Sequence, residues 1–371
     1  MSEATTGTLL KDKPRDTGRQ AAPTIEVVAR HAGVSPMTVS RVINGAPSVR
    51  ENTRRKVNEA IAALNYVPNQ AAQRLAGSEP VRIGVLYSNP SAAYLSEFLV
   101  GLLDQASLGH AQLVVEKCEV DGTEADHARE LLANGVHGLI LPPPLCDSPS
   151  LLQVVAASGT PAVLVAGGAA GDAAGTVSID DHHAAFEMTR HVLALGHQRI
   201  GFISGDPKQS ASARRLQGYR DALIAAGVDA APELVAPGLF SYRSGLDAAE
   251  TLLALPQRPS AIFAANDDMA AAAVAVCHRQ GLDVPGDITV VGFDDTAIAT
   301  TIWPELTTIR QPVADMSRAA MEALIRQVRA RRIGEQEAVS HLVLEHQLVR
   351  RQSDAAPRQR PPVRPLPGSS T

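Results

Sequence analysis

Within seven residues the chain places three hydroxyls, a thioether and a guanidinium: Ser35, Met37, Thr38, Ser40 and Arg41. Short hydroxyls can bond phosphate oxygens, an arginine can fork onto a guanine edge, and a methionine can pack on a thymine methyl. A second set of polar residues adjoins short apolar runs further along: Ser88-Asn89, Arg214-Arg215, Asn266-Asp267-Asp268 and Asp294-Asp295. An arginine, an asparagine and an aspartate together offer both donors and acceptors, which suits a hydroxyl-rich sugar. A third set, His183, Glu187 and His191, recurs every fourth residue and could hold a metal with Asp180. Only adjacent helical turns share one ion easily and no cysteine supports them, so these residues are assigned to a surface helix; no metal and no cofactor is expected.

Other chemistries find no matching pattern. Cys118, Cys146 and Cys277 make neither a CxxC pair nor a disulfide framework, which fits a reducing cytoplasm. The run from Gly167 to Gly171 is rich in glycine but lacks both the G-x-G-x-x-G spacing and a P-loop lysine, and reads as a loop. With no nucleophile elbow or kinase motif, a cytoplasmic α/β sugar-metabolising enzyme is the weaker alternative, and no enzyme activity is expected.

The first set needs a helix that presents it outward, and the surrounding pattern supplies one. Thr24 is a candidate N-cap, Ile25, Val28, Ala29 and Ala32 recur at helical spacing, and Gly33 stops that helix. Ser35 then caps a second helix with Pro36 in its first turn; Val39 and Val42 face inward, leaving Met37, Thr38, Ser40 and Arg41 outside, until Asn44-Gly45 ends it. Ser48 to Glu51 reads as a capping box for a third helix through Leu64, with Val57, Ile61 and Leu64 on its core face. Two short helices joined by a glycine-containing turn are the geometry that sets the second into a DNA major groove.

The second set needs strand ends. From Val81 onward short β-branched runs (VRIGVLY at 81, AQLVVEKC at 111, HGLILP at 137, PAVLVA at 161, RIGFIS at 199, SAIFAA at 260, DITVVGF at 287) alternate with helix-length stretches such as 210–226 and 266–280. That alternation means parallel sheets with helices on both faces, and the units are too many for one sheet. Two doubly wound lobes are expected, with the chain crossing near 177–180 and again at 307–309, followed by a helix over 316–331 and a last strand over 341–349. Open α/β sheets bind ligands where strand ends converge, which is where the polar pairs fall.

Charge divides the chain. Its 371 residues carry a formal charge of -5, yet the stretch 23–77 is net +4, and so is the segment from Arg350 onward, which leaves 78–349 strongly acidic. A small basic head on a large acidic body suggests a polyanion-binding module joined to something else. Residues 1–22 are polar and aperiodic, and 351–371 are rich in Pro and Arg, so both are expected to be disordered. No apolar run suggests a signal peptide or a membrane span, so a cytoplasmic protein is expected.

The segment from Thr24 to Gly77, with TIEVVA, AGVS, TVSRVING, NTRRKV and NYVPN, closely resembles the DNA-binding head of the lactose/galactose repressor (LacI/GalR) family. One departure is Val27, where relatives usually carry Asp. The resemblance implies that Pro36, Met37 and Arg41 reach base edges while Ser35, Thr38, Ser40 and Asn44 anchor phosphates of double-stranded DNA. It implies that 69–77 is a hinge helix folding on operator DNA, with Asn69 and Ala72 at the DNA and Leu75 wedged into the minor groove.

The family's effector pattern falls on Arg215, Asn266, Asp294 and Gln311 in a cleft between periplasmic-binding-protein-like lobes, to which Ser88, Asn89 and Tyr94 are added. The pattern fails at Ala166, where several sugar-binding relatives carry a charge. Tyr94, Phe240, Tyr242 and Trp303 are candidates for an apolar wall. The domains expected are therefore a 1–22 arm, a 23–68 helix-turn-helix, a 69–79 hinge and linker, an 80–350 two-lobed effector and dimerisation domain, and a 351–371 tail. The function implied is a homodimeric transcriptional regulator, most simply a repressor, controlled by a small effector of the carbohydrate class. A transporter's solute-binding protein shares the lobes but would lack the basic head.

Overall fold

The computed structural model of the protein describes residues 23–43, 49–64, 66, 80–120, 122–168 and 173–358. The chain divides into a head that ends at Glu79 and a body that begins at Pro80. The arm at 1–22, Asn44 and the hinge and linker at 69–79, with Asn69, Ala72 and Leu75, lie outside the described residues.

The head is helical: α1 spans Ile25–Ala32, α2 Pro36–Ile43 and α3 Glu51–Ala63. Val28, Ala29, Val39, Val42, Val57, Ala60 and Tyr66 form its core, so the apolar periodicity of the sequence packs inward as expected. Gly33 ends α1 at φ +66°, and the Val34 N–H returns to the Ala29 carbonyl at 3.0 Å, closing the turn. Thr24 stands at the N-cap of α1 as expected, although its side chain makes no cap bond. Helix α3 starts after Arg50, and Ser48 of the expected capping box lies outside the described residues.

The body holds two six-stranded sheets among the described residues. Lobe one contains β1 (Val81–Tyr87), β2 (Ala111–Lys117), β3 (Gly138–Leu141), β4 (Ala162–Val165), β5 (Gly175–Ile179) and β11 (His341–Leu344), in the order β11-β5-β4-β3-β1-β2, all parallel. Its helices are α4 (Ala92–Leu108), α5 (Glu124–Ala133), α6 (Pro149–Ser158) and α12 (Val313–Arg332). Lobe two contains β6 (Ile200–Ile203), β7 (Val235–Ala236), β8 (Ala261–Ala264), β9 (Thr289–Asp294), β10 (Thr307–Arg310) and β12 (Gln347–Val349). Their order is β12-β10-β9-β8-β6-β7, with β12 antiparallel to β10. Helices α7 (Asp181–Ala194), α8 (Ser210–Ala225), α9 (Tyr242–Leu253), α10 (Asp267–Arg279) and α11 (Ile298–Thr301) cover it. Central strands β3, β4, β6 and β8 are buried at every residue, as a sheet flanked by helices on both faces requires.

Among the described residues the chain passes between the lobes three times: after β5 at Asp180, after β10 at Gln311-Pro312, and between β11 and β12 at Glu345-His346. The two expected crossings are therefore real but sit at the ends of strands that pair into the sheets. The last strand, read as one piece over 341–349, is two, each belonging to a different sheet.

The expected disorder from 351 is corrected through 358. Ser353 is fully buried; its Oγ donates to the Val290 carbonyl at 2.5 Å and accepts from the Thr307 N–H at 2.9 Å. Asp354 pairs with His191 at 2.8 Å and accepts from the Thr307 hydroxyl, and the Ala355 carbonyl accepts from Thr289 Oγ1 at 3.0 Å. Polar groups rather than apolar side chains anchor this segment, so it has no hydrophobic pattern to read. Residues 359–371 lie outside the described residues.

Ser353→Ala strips a buried N–H of its partner. It should lower the stability of the body by about 1–3 kcal/mol, read as a shift of the denaturant unfolding midpoint with the slope unchanged.

Candidate functional site

On the head, α2 carries the chemistry. The Ser35 Oγ accepts from the Thr38 N–H at 3.2 Å and shares a 2.9 Å hydroxyl contact with Thr38, which starts the helix as expected. Val39 and Val42 are buried, which turns Ser35, Pro36, Met37 and Arg41 to solvent and leaves Thr38 and Ser40 half-buried. Met37 is 64% exposed, more than any apolar residue of the head core, so its thioether is free to meet a partner. Met37 and Arg41 are four apart and share one helical face.

In the body, one cleft draws from both lobes. Asn89, Pro90, Ser91, Tyr94, Pro143 and Ala166 line it from lobe one; Gln209, Ala211, Arg215, Phe240, Asn266 and Asp294 line it from lobe two, with Gln311 at a crossing. The cavity it encloses is small in this arrangement of the lobes, about 40 Å³, below the roughly 300–1,000 Å³ of small-molecule sites. Six of the seven expected effector residues are thus brought together: Asn89, Tyr94, Arg215, Asn266, Asp294 and Gln311. Ser88 is not in the lining; the chain turns after it, and Asn89 Oδ1 accepts from the Ser91 N–H at 2.8 Å, aiming Ser91 inward instead. Of the aromatic candidates, Tyr94 and Phe240 line the cleft, whereas Tyr242 and Trp303 are exposed outside it.

Arg215 is positioned by a close helix contact. A Cβ on Gly218 would lie 2.1 Å from the His182 carbonyl oxygen, so only glycine lets α8 approach α7 this closely. One turn earlier, Arg215 Nε donates to Asp181 Oδ1 at 2.8 Å, and Nη1 donates to the Ala265 carbonyl at 2.6 Å and lies 3.5 Å from Asp294 Oδ1. Its guanidinium also lies 3.6 Å above the Phe293 ring. Gln311 Nε2 donates to Asp294 Oδ1 at 2.6 Å. Two buried polar atoms at the cleft have no partner: the Tyr94 hydroxyl and Gln311 Oε1. Ala166, Phe240 and Asp294 hold positive φ values of 54°, 56° and 111°, backbone strain gathered at one cleft.

Asn266 caps α10. Its Oδ1 accepts from the Met269 N–H and its Nδ2 donates to the Phe240 carbonyl, both at 3.0 Å. Asp267 is a buried brace, accepting from Thr308 Oγ1 at 2.6 Å and from the Thr296 N–H at 2.8 Å. Reading the sequence missed Ser91, Gln209, Pro143 and Asp147. Asp147, after β3, accepts from the Ser210 N–H at 2.9 Å and its hydroxyl at 3.0 Å, so a lobe-one carboxylate caps the lobe-two helix α8. A polar residue beyond each strand end was the available signal, and Gln209 and Asp147 both satisfy it.

One guanidinium here faces two carboxylates. Burial pushes the Asp294 carboxyl up to about 7, against the opposing pull of Arg215 and the Gln311 hydrogen bond. Burial raises Asp181 as well, with Arg215 opposing, and raises the Tyr94 hydroxyl, which remains a neutral donor.

A helical head with an exposed polar and basic reading face, joined to a two-lobed ligand cleft, defines a ligand-responsive DNA-binding regulator. Residues 24–69 match the bacterial regulatory proteins of the lacI family, and residues 189–353 match the periplasmic binding protein-like domain. The lactose operon repressor of Escherichia coli (strain K12) is 36% identical over 81% of this chain and 84% of its own. Among solved structures, a transcriptional regulator CelR–cellobiose complex is similar at 34% identity and a TM-score of 0.68, covering 89% of this chain and 99% of that one. The lac repressor dimer bound to operator and the anti-inducer ONPF matches at 31% identity and 0.69, covering 91% and 100%. The chain belongs to the LacI family and is a transcriptional regulator, not an enzyme.

The raised Asp294 carboxyl sets a pH dependence. Between about 4 and about 7 the folded state keeps a proton that the unfolded state releases, so this contribution is full below about 4 and lost as pH rises to about 7. Asp294→Asn should flatten that part of the stability–pH profile; an unchanged slope in thermal melts across this window would refute the assignment.

Proposed function

We propose that the protein is a cytoplasmic repressor that binds a pseudo-palindromic operator as a homodimer and changes its DNA affinity when a neutral, hydroxyl-rich effector, a sugar or sugar derivative, enters the cleft. The observation that carries the effector class is the pair of unpartnered buried atoms, one donor at Tyr94 and one acceptor at Gln311. Buried polar atoms gain most from a ligand that pairs them, and a sugar hydroxyl both donates and accepts. Asn89, Gln209, Asn266 and Arg215 add further polar groups around the same space, and Ala166 brings no charge to it. The CelR relative was solved with cellobiose, which supports the same class.

At the DNA, Pro36, Met37 and Arg41 are assigned to base edges and Ser35, Thr38, Ser40 and Asn44 to phosphates. Asn69, Ala72 and Leu75 are assigned to the hinge contact in the minor groove. Homodimerisation is supported by exposed apolar side chains on lobe one, Val100, Leu103 and Leu108 on α4 and Val115 on edge strand β2, and by Ile224, Leu239 and Tyr242 on lobe two. The two-fold logic of helix-turn-helix sites asks for such a pair. No helix among the described residues is long and apolar enough to cross a membrane.

Fluorescence anisotropy on duplexes from the gene's own flanking DNA, with a panel of mono- and disaccharides, tests the reading. A dimer making about 6 to 10 phosphate contacts should lose roughly 10³- to 10⁵-fold in affinity between 50 and 200 mM salt, and a flat profile would contradict it. Arg41→Ala should cost about 1–3 kcal/mol and relax base preference at one position. Leu75→Ala should weaken operator binding and spare effector binding. Asp147→Ala, which uncaps α8 from across the cleft, should weaken the effector and leave the affinity of the effector-free protein for nonspecific DNA unchanged.

A further inference from the structure

We propose that His183, Glu187 and His346 form a site for a divalent transition metal of the zinc class at the junction of the two lobes. His183 and Glu187 stand on adjacent turns of α7, and His346 lies in the connection between β11 and β12. Each offers one ligand atom, and the three atoms all lie within 4.8 Å of one another. His346 Nε2 is 3.0 Å from Glu187 Oε2, and the His183 and His346 rings meet edge-on with centroids 5.6 Å apart. A tetrahedral ion with ligand bonds of about 2.0–2.2 Å holds its ligand atoms roughly 3.3 Å apart, so a small contraction of these side chains closes the shell. His183 is exposed and free to supply that movement.

The donor set selects the ion. Two imidazoles and one carboxylate with a fourth position open to solvent is an arrangement zinc adopts, and imidazole favours zinc, nickel or copper over magnesium or calcium. The sequence spacing pointed to His191 and Asp180 as the companions of His183 and Glu187, and neither serves. His191 is held by Asp354 at 2.8 Å, and Asp180 caps α7 through the His183 N–H at 3.0 Å. The third ligand comes instead from 159 residues beyond Glu187, which no helical periodicity reveals.

The position gives the ion a consequence. Helix α7 begins directly after the first crossing, and His346 sits in the third, so an ion ties two of the three connections between the lobes together. Any change in lobe angle must bend those connections. Ion occupancy therefore biases that angle, and by linkage the ligand in the cleft alters ion affinity by the same factor. This coupling rests on the cleft reading; the metal site does not.

The test uses tag-free full-length protein, Zn²⁺ in calorimetry and Co²⁺ in visible absorption. Expected are one ion per chain, a four-coordinate cobalt spectrum, and no heat with Mg²⁺. His183→Ala, Glu187→Gln and His346→Ala should each lower affinity by more than the 10- to 100-fold that loss of an outer-shell partner costs. His278→Ala, an exposed histidine elsewhere, should change nothing. Because His183 is exposed, its variant keeps the fold if His346→Ala does not, with circular dichroism as the check. Zinc binding that survives all three substitutions, or an absent four-coordinate spectrum at saturating cobalt, overturns the site. Metal binding that leaves operator and sugar affinities unchanged overturns only the coupling.

Discussion

The buried guanidinium of Arg215 is the interaction around which the body is arranged. At 4% exposure it has lost most of its water, and a charge so placed persists only when it is paired and hydrogen-bonded. Asp181, at the start of α7, and the Ala265 carbonyl, at the end of β8, satisfy two of its nitrogens, and Asp294, at the end of β9, adds a second carboxylate. Phe293 covers its face. The same side chain thus joins α7, α8, β8 and β9 in one place. Removing one partner of a buried pair typically costs about 3–5 kcal/mol, so these four elements hold a fixed relation at the cleft floor.

Lobe one meets this floor with polar groups of a different kind. Tyr94 comes from the first turn of α4, whose cap Ser91 accepts from the Tyr94 N–H at 3.3 Å, so one local motif places both residues. Asp147 reaches across to the first turn of α8, where it accepts from the N–H and the hydroxyl of Ser210. Buried apolar residues of both lobes also form one continuous cluster. A ligand that pairs the Tyr94 hydroxyl and Gln311 Oε1 would add polar contacts on both sides of the cleft.

Much of this was legible in the sequence, and the failures have physical causes. The head helices, the central strands and Arg215, Asn266, Asp294 and Gln311 were readable because burial periodicity and strand-end position are local signals. Asn266 lines the cleft as expected, and it also caps α10, a second role that three consecutive polar residues at a helix start leave open among them. The split of 341–349 into β11 and β12 was invisible: a two-residue connection between strands of different sheets leaves the β pattern almost unbroken. The segment 351–358 was misread because its anchors are Ser353, Asp354 and backbone carbonyls, groups that composition assigns to disorder. His346 was missed because it acts on a partner far away in sequence.

Signal transfer in this architecture reduces to one requirement. An effector shifts the regulator only by the difference in its affinity for two lobe arrangements, and a ligand held equally by both shifts nothing. In the proposed reading the cleft can meet that requirement because its lining is divided: Arg215, Asn266 and Asp294 belong to lobe two, and Asn89, Ser91 and Tyr94 to lobe one. A ligand spanning both sets is bound fully in one arrangement and partly in any other. Lobe one also begins the body at β1, so the lobe whose polar groups complete the cleft is the lobe that follows the head in the chain.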